Sequence, residues 1–428
     1  MRILFIAHRV PYPPNKGEKL RAFWELRGLS KSHTVDLFCF YDDPEDVKHA
    51  RELNQYCHRL YLEKISFLRS RARAISAALR GRPFSAAFFH SHRMARRINL
   101  AIHSGYYDRI FVFSSSMAHY VRAAGKIPKV LDLVDVDSDK WLQYANHSSW
   151  PWSWLWQREA KILGAYEESL VRDFSSTVVC TEAEAQLLRS KAPHGRINVL
   201  QNFLDVDAYL PASPLPDFIR AWQPYLIFSG SMDYRPNIDA VTYFCREVFP
   251  LIRRAAPEVR LVIAGRNPDR SVLALKADSS VEVTGSVSDM RPYIWGAAAA
   301  VVPMRIARGI QNKILEALAG GVPVVSSAAA ASALSPELRA LLTVADSPQN
   351  ISAAVIKLLQ DGSDISSQDL RVALKNYISD LDLPAQLQRL VNDPAESLEA
   401  NEESTQRQLL VSELSNDAHW EDVRSRAS

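Results

Sequence analysis

Short runs of aliphatic and β-branched residues recur along the chain, each apolar nearly throughout rather than alternating with polar residues. Ile3–Ile6, Val35–Phe40, Arg109–Phe113, Lys129–Leu133, Val178–Cys180 and Ile197–Leu200 read this way, with helical patterns between them. After the first run comes a loop, Pro11–Gly17, and then a helix with Leu20, Phe23, Trp24 and Leu29 on one face. A strand that is apolar on both faces must be covered on both faces. That is the condition of a parallel sheet wrapped by helices.

The alternation stops once and restarts. Between Asn202 and Pro224 lie Pro211, Pro214, Pro216 and Pro224, a proline density that predicts a linker. Strand patterns then return at Tyr225–Phe228, Leu261–Ala264, Val281–Val283, Ala299–Val302 and Val322–Val325. At 428 residues the chain exceeds one ordinary core. The expected fold is therefore α/β, with two doubly wound, Rossmann-like domains spanning residues 1–205 and 206–390 and an acidic tail, 391–428, expected to be disordered. Such folds bind ligands beyond the carboxyl ends of their strands, so the expected site lies in a cleft where the two domains face each other.

Composition excludes several classes. A formal net charge of +3 gives no global case for nucleic acid. The cysteines are Cys39, Cys57, Cys180 and Cys245, none in a CxxC pair, which points to a reducing compartment and no metal cluster. The apolar start, Met1–Ile6, is too short for a signal peptide and reads as a buried strand. No run reaches the roughly 18 apolar residues that span a bilayer. A cytoplasmic protein, soluble or peripheral to the inner face of the membrane, is the expectation.

The strongest motif runs from Pro303 to Val325. A strand ends at Pro303, a basic loop with Arg305, Arg308 and Gly309 comes next, and a helix is predicted from about Gln311 to Gly320-Gly321. A helix N-terminus offers unpaired amides and partial positive charge to an anion. Gly309 allows close backbone approach. Arg305, Arg308 and Lys313 add cationic donors suited to a diphosphate. Glu316, one turn in, is a carboxylate able to accept both hydroxyls of a ribose. Taken singly, Glu316 also fits an exposed helix carboxylate paired with Lys313, and the arginines fit a solvated basic loop.

This stretch resembles the donor-site signature of the retaining glycosyltransferases of family four, which have the GT-B fold. Glu316 matches the second glutamate of that signature, and Ala317–Val325 match the residues C-terminal to it; the first glutamate, eight positions earlier, falls on Arg308. The resemblance extends over roughly Met1–Leu390. Gly17 matches a glycine that approaches the sugar phosphate. Gly230, Ser231 and Asn237 match the first strand and turn of the donor domain, Gly265 and Gly285 match its later strand ends, and Asn312 adds an amide at the helix start. Within the family the chain is most similar to sugar transferases found beside exosortase and exopolysaccharide loci. The resemblance implies a nucleoside-diphosphate sugar as donor, a glycan or lipid-linked acceptor, retention at the anomeric carbon, and no permanently bound cofactor or metal. Arg308, in place of glutamate, is expected to favour phosphate or an acidic sugar. It also motivates a second reading, a non-catalytic component that binds nucleotide or glycan. A nucleotide-sugar epimerase of the same fold is a third.

In the first half, Asp135-Val-Asp137 lies just after a strand. Asp135 is expected to orient the acceptor or act as a base, with a metal role the lesser alternative. His90 and His92 are expected at the surface, and His119 near a strand end in reach of a substrate. Two features point to a membrane surface. Lys64–Tyr107 contains no Asp or Glu and eight arginines between Arg69 and Arg97, and Trp150, Trp152, Trp154 and Trp156 alternate along the chain. A solvated arginine face and an aromatic core cluster are the alternative.

Overall fold

The computed structural model describes residues 1–392 apart from 15, 16, 123, 147, 212, 213 and 308. It divides into two units, Met1–Phe203 with the segment from Asp382 onward, and Leu204–Leu381.

The first unit holds a seven-stranded parallel sheet. Its strands are β1 (Arg2–Ala7), β2 (Thr34–Tyr41), β3 (Arg59–Lys64), β4 (Arg109–Phe113), β5 (Lys129–Val134), β6 (Ser176–Val179) and β7 (Ile197–Val199). They lie in the order β3-β2-β1-β4-β5-β6-β7. β1 shows why the sheet must be doubly covered: Ile3, Phe5 and Ala7 enter one core cluster, and Leu4 and Ile6 enter the other. The helix α1 (Gly17–Ser30) supplies Ala22, Phe23, Leu26 and Leu29 to the first of these clusters.

The second unit repeats the plan with six parallel strands: β8 (Tyr225–Ser229), β9 (Arg260–Ala264), β10 (Val281–Gly285), β11 (Ala299–Val302), β12 (Val324–Ser326) and β13 (Thr343–Val344). Their order is β10-β9-β8-β11-β12-β13. Strand order reverses between β1 and β4 in the first sheet and between β8 and β11 in the second. Doubly wound sheets place ligands at that reversal.

Three expectations change. The helix Leu383–Asn392, assigned from sequence to the second domain, belongs to the first unit. Leu383, Leu387 and Val391 enter the core beside α1, where a Cβ on Gly28 would come within 2.5 Å of Leu387 Cδ1. The domain boundaries 1–205 and 206–390 are corrected accordingly. The proline-rich stretch is not a loose linker either. Leu204, Val206 and Ile219 are buried, and the Trp295 indole donates to the Tyr209 carbonyl at 2.6 Å. Two strands escaped the sequence pattern, β3 and β13, both at sheet edges. The tail from 393 lies outside the described residues. Among the described residues, no helix is long and apolar enough to cross a membrane.

Two non-glycine residues at adjacent strand ends adopt left-handed backbone conformations, Ser114 (φ 80°) after β4 and Val134 (φ 68°) at the end of β5. Each costs about 1–3 kcal/mol and persists only where its surroundings enforce it.

Candidate functional site

The second unit builds an amide- and amine-lined notch at its strand-order reversal. β8 ends at Ser229 and runs into Gly230 (φ 150°), while β9 ends at Ala264 beside Gly265 (φ 153°). The two glycines touch: a Cβ on Gly265 would sit 1.7 Å from the Gly230 carbonyl oxygen. A Cβ on Gly230 would meet the Asn237 amide at 2.7 Å and Lys313 Nζ at 3.4 Å. Only glycine fits either position, so backbone and amine close on one small space.

Lys313 comes from the helix Asn312–Ala319, which starts after Gly309 (φ 58°) and Gln311. Its Nζ donates to Asn237 Oδ1 at 2.6 Å and lies 4.1 Å from the centre of the Phe228 ring, with Met304 Sδ at 3.8 Å. This apolar setting lowers its pKa from the usual lysine range to about 7, against a smaller upward pull from Glu316. Glu316 lies one turn further along the helix and is half-buried. Burial raises its carboxyl, and Lys313 partly offsets the rise. Tyr209 is close enough that Glu316 contributes to holding its phenol protonated, after burial itself. Asn237 is not the cap of its helix, Arg235–Tyr243, whose N-cap is Tyr234. Instead Asn237 Nδ2 reaches back to the Ser231 carbonyl at 2.9 Å.

Other predicted residues are placed differently. Arg305 is held by both oxygens of Asp239, at 3.0 and 2.5 Å, and stacks over Tyr243. It does not join Lys313 in the notch. Asp239 gave no signal in sequence, because the pair is 66 residues apart. The Ser231 hydroxyl donates to Asp233 and accepts from Arg266, so its backbone rather than its side chain faces Asn237. Gly285 (φ 70°) ends β10 with open space where a Cβ would be. Asn312 opens the helix. Arg308 lies outside the described residues.

In the first unit, Gly17 is the exposed first residue of α1. Asp135 comes directly after β5, and the Cys180 thiol donates to its Oδ1 at 2.9 Å. Burial raises the Asp135 carboxyl, and the Cys180 bond opposes the rise. His90 is not a plain surface residue: its Nδ1 lies 3.2 Å from His119 Nε2. Burial, and then His90, lowers His119 to about 4, so its imidazole is neutral at physiological pH. No group of three or more His, Cys, Asp or Glu among the described residues is placed to hold a metal ion.

Comparison with known structures places this architecture. The chain matches HepE from Anabaena, solved in complex with UDP, at 14% identity and a TM-score of 0.59, covering 93% of this chain and 100% of that one. It matches sucrose-phosphate synthase from Thermosynechococcus elongatus at 16% identity and a TM-score of 0.67, covering 92% and 98%. WaaG, a glycosyltransferase involved in lipopolysaccharide biosynthesis, matches at 15% identity and 0.58, covering 91% and 100%. The fold is thus of the GT-B type, two Rossmann-like domains. Residues 223–361 match the family described as glycosyl transferases group 1. That match contains β8 to β13, Asn237, Lys313 and Glu316, so the notch lies within the matched region. No curated protein sequence matches the chain.

Proposed function

We propose that this protein transfers a sugar from a nucleoside-diphosphate sugar to a glycan or lipid-linked acceptor, with retention of anomeric configuration, in exopolysaccharide or cell-envelope glycan synthesis. The observation that carries the reading is the pairing of Lys313 with Asn237 beside Gly230 and Gly265, at the N-terminal turn of a helix that also bears Glu316. In this reading the amine and the helix amides take the diphosphate, and Glu316 takes the ribose. The leaving diphosphate gains negative charge as the glycosidic bond breaks, so preorganised donors there favour the transition state over the ground state. UDP and UDP-glucose, bound in HepE, are the first ligands to test.

Asp135, whose carboxyl is raised by burial, is proposed to orient the acceptor or take its proton. Retention rests on the resemblance of Glu316–Val325 to the family-four signature. Incubation with radiolabelled UDP-sugars and glycan or lipid-linked acceptors tests the transfer, and proton NMR of the product reads the anomeric configuration. Nucleotide binding without turnover would favour the non-catalytic reading. Conversion of donor with no acceptor present would favour an epimerase.

A membrane-facing position also belongs to this reading. In the helix Phe67–Leu79, Leu68 and Ile75 are 81% and 65% exposed, while Ser70 and Ala77 are buried. The apolar pair thus points away from the core, with exposed Arg69 and Arg71 beside it. Trp150, Trp152 and Trp154 are exposed, while Trp156 is half-buried and stacks on Trp141 and Trp152. Glu159, two turns after Trp152 on the helix Trp152–Asp173, accepts from the Phe84 amide at 2.8 Å and ties the basic region to the tryptophan end. Anionic lipid fits both features. Sedimentation with phosphatidylglycerol-containing and purely zwitterionic vesicles tests it. Binding only to the anionic vesicles, lost in Leu68→Glu/Ile75→Glu, is the expected result.

A further inference from the structure

Asp132 in β5 is fully buried and binds both strained strand ends. Its carbonyl accepts from the Ser114 amide at 2.8 Å, and its Oδ1 accepts from the Val134 amide at 2.9 Å. Its carboxylate is gripped in turn by Arg21 of α1, Nε to Oδ2 at 2.6 Å and Nη2 to Oδ1 at 3.1 Å. Arg21 Nη1 also donates to the Leu200 carbonyl at 2.7 Å and to Asn202 Oδ1 at 3.0 Å. One ion pair therefore fixes α1 and the ends of β5 and β7, and the Asp132 main chain carries the hold on to the end of β4. The next residue after Val134 is Asp135, and Ser114 leads into the turn Ser115–Val121 that carries His119.

We propose that Asp132, Arg21 and Glu25 are positioning residues of the first unit, the Asp132 carboxylate holding Val134 and its main chain holding Ser114 in left-handed conformations so that Asp135 and His119 keep their places. This rests on the proposed transferase function, in which Asp135 acts on the acceptor.

Glu25 completes the group. It is 1% exposed, stands 3.3 Å from Arg21 Nε and, when protonated, hydrogen-bonds to the Asp132 carboxylate. Arg21 and Asp132 already balance, so an ionised Glu25 leaves an uncompensated buried charge. Burial and then Asp132 push its carboxyl well above the usual range. The charged groups set against it are Asp132 on β5 and Arg21 on its own helix, with Cys180 after β6 acting on Arg21. Glu25 thus keeps its proton to higher pH than an ordinary carboxyl, and ionising it disturbs the hold on the strand ends. A carboxyl raised in the fold contributes stability that is complete below its unfolded value and lost as pH rises through its folded value.

The test combines stability and kinetics on the full chain. Asp132→Asn is expected to lower kcat about a hundredfold, the scale of a misplaced reacting group, while UDP affinity, a property of the second unit, stays unchanged. Val134→Gly, which removes the φ penalty, is expected to restore part of the melting temperature lost in Asp132→Asn. Glu25→Ala lowers kcat; Glu25→Gln, neutral at every pH, recovers it and removes the fall in stability as pH rises above the ordinary carboxyl range. Equal melting temperatures for Asp132→Asn with and without Val134→Gly, or a fall in stability with rising pH that persists unchanged in Glu25→Gln, would overturn the proposal. If no sugar transfer is found at all, the transferase reading fails, and the stability coupling and that pH-dependent stability loss still decide this one.

Discussion

Lys313 Nζ donates to Asn237 Oδ1 across 2.6 Å, joining the helix after β11 to the helix after β8 at the point where the strand order of the second sheet reverses. The bond places an amine against Gly230, which Gly265 abuts in turn, over the face of Phe228. The pair is the centre of the proposed donor site.

A lysine lowered to about 7 is partly neutral in the free protein, and a bound diphosphate would recharge it. UDP binding is therefore predicted to take up a proton, and its affinity to fall as pH rises above about 7. Calorimetry in buffers of different ionisation enthalpy measures the uptake. Lys313→Met should remove both the uptake and most of the affinity. Because the folded value lies below the unfolded one, Lys313 makes the fold less stable as pH falls from about 10 towards 7, and Lys313→Met should lose that slope as well.

Glu316→Gln is predicted to weaken UDP by about 1.5–3 kcal/mol, the range for hydrogen bonds to a charged group. The role assigned to Glu316 is specific to the ribose. The same substitution should therefore change affinity for 2′,3′-dideoxy-UDP little, and equal losses for both ligands would remove Glu316 from the ribose.

Gly265→Ala would force a methyl group to 1.7 Å from the Gly230 carbonyl. Overpacking of this kind costs about 1–3 kcal/mol, and in a unit of this size each kcal/mol shifts the melting temperature by about 2–4 °C. Calorimetry of the variant should show a drop in that range together with loss of UDP binding, because the glycine contact shapes the notch.

His119, lowered to about 4 by burial and His90, is neutral where an unfolded histidine would be charged. Its contribution to stability is present above about 6.5 and lost as pH falls towards 4. His119→Gln should flatten that acid limb, which urea titrations between pH 7 and pH 4 would show.

Much of the fold was legible because each buried parallel strand announces itself locally. β1, β4 and β11 are apolar runs whose positions emerge from the residues alone. β3 was not, since Arg59, Glu63 and Lys64 give it a charged edge, and β13 is only two exposed residues. The helix Leu383–Asn392 looked like the end of the second domain because its partners in α1 lie at the other end of the chain. The roles proposed for Gly309, Lys313 and Glu316 could be read locally because one short stretch carries all three residues. Asn237 was matched by resemblance, but its bond to Lys313 spans 76 residues, and the Asp239 grip on Arg305 and the Arg21–Asp132 pair depend likewise on distant partners. Local pattern cannot show which distant side chains meet.

The most direct test of the donor site is isothermal titration of UDP into wild type and into Glu316→Ala. Saturable binding to wild type and a loss of at least about tenfold in the variant are predicted. Equal affinity for both proteins, or no binding of UDP, GDP, ADP or CMP to a folded wild type, would contradict the donor-site assignment.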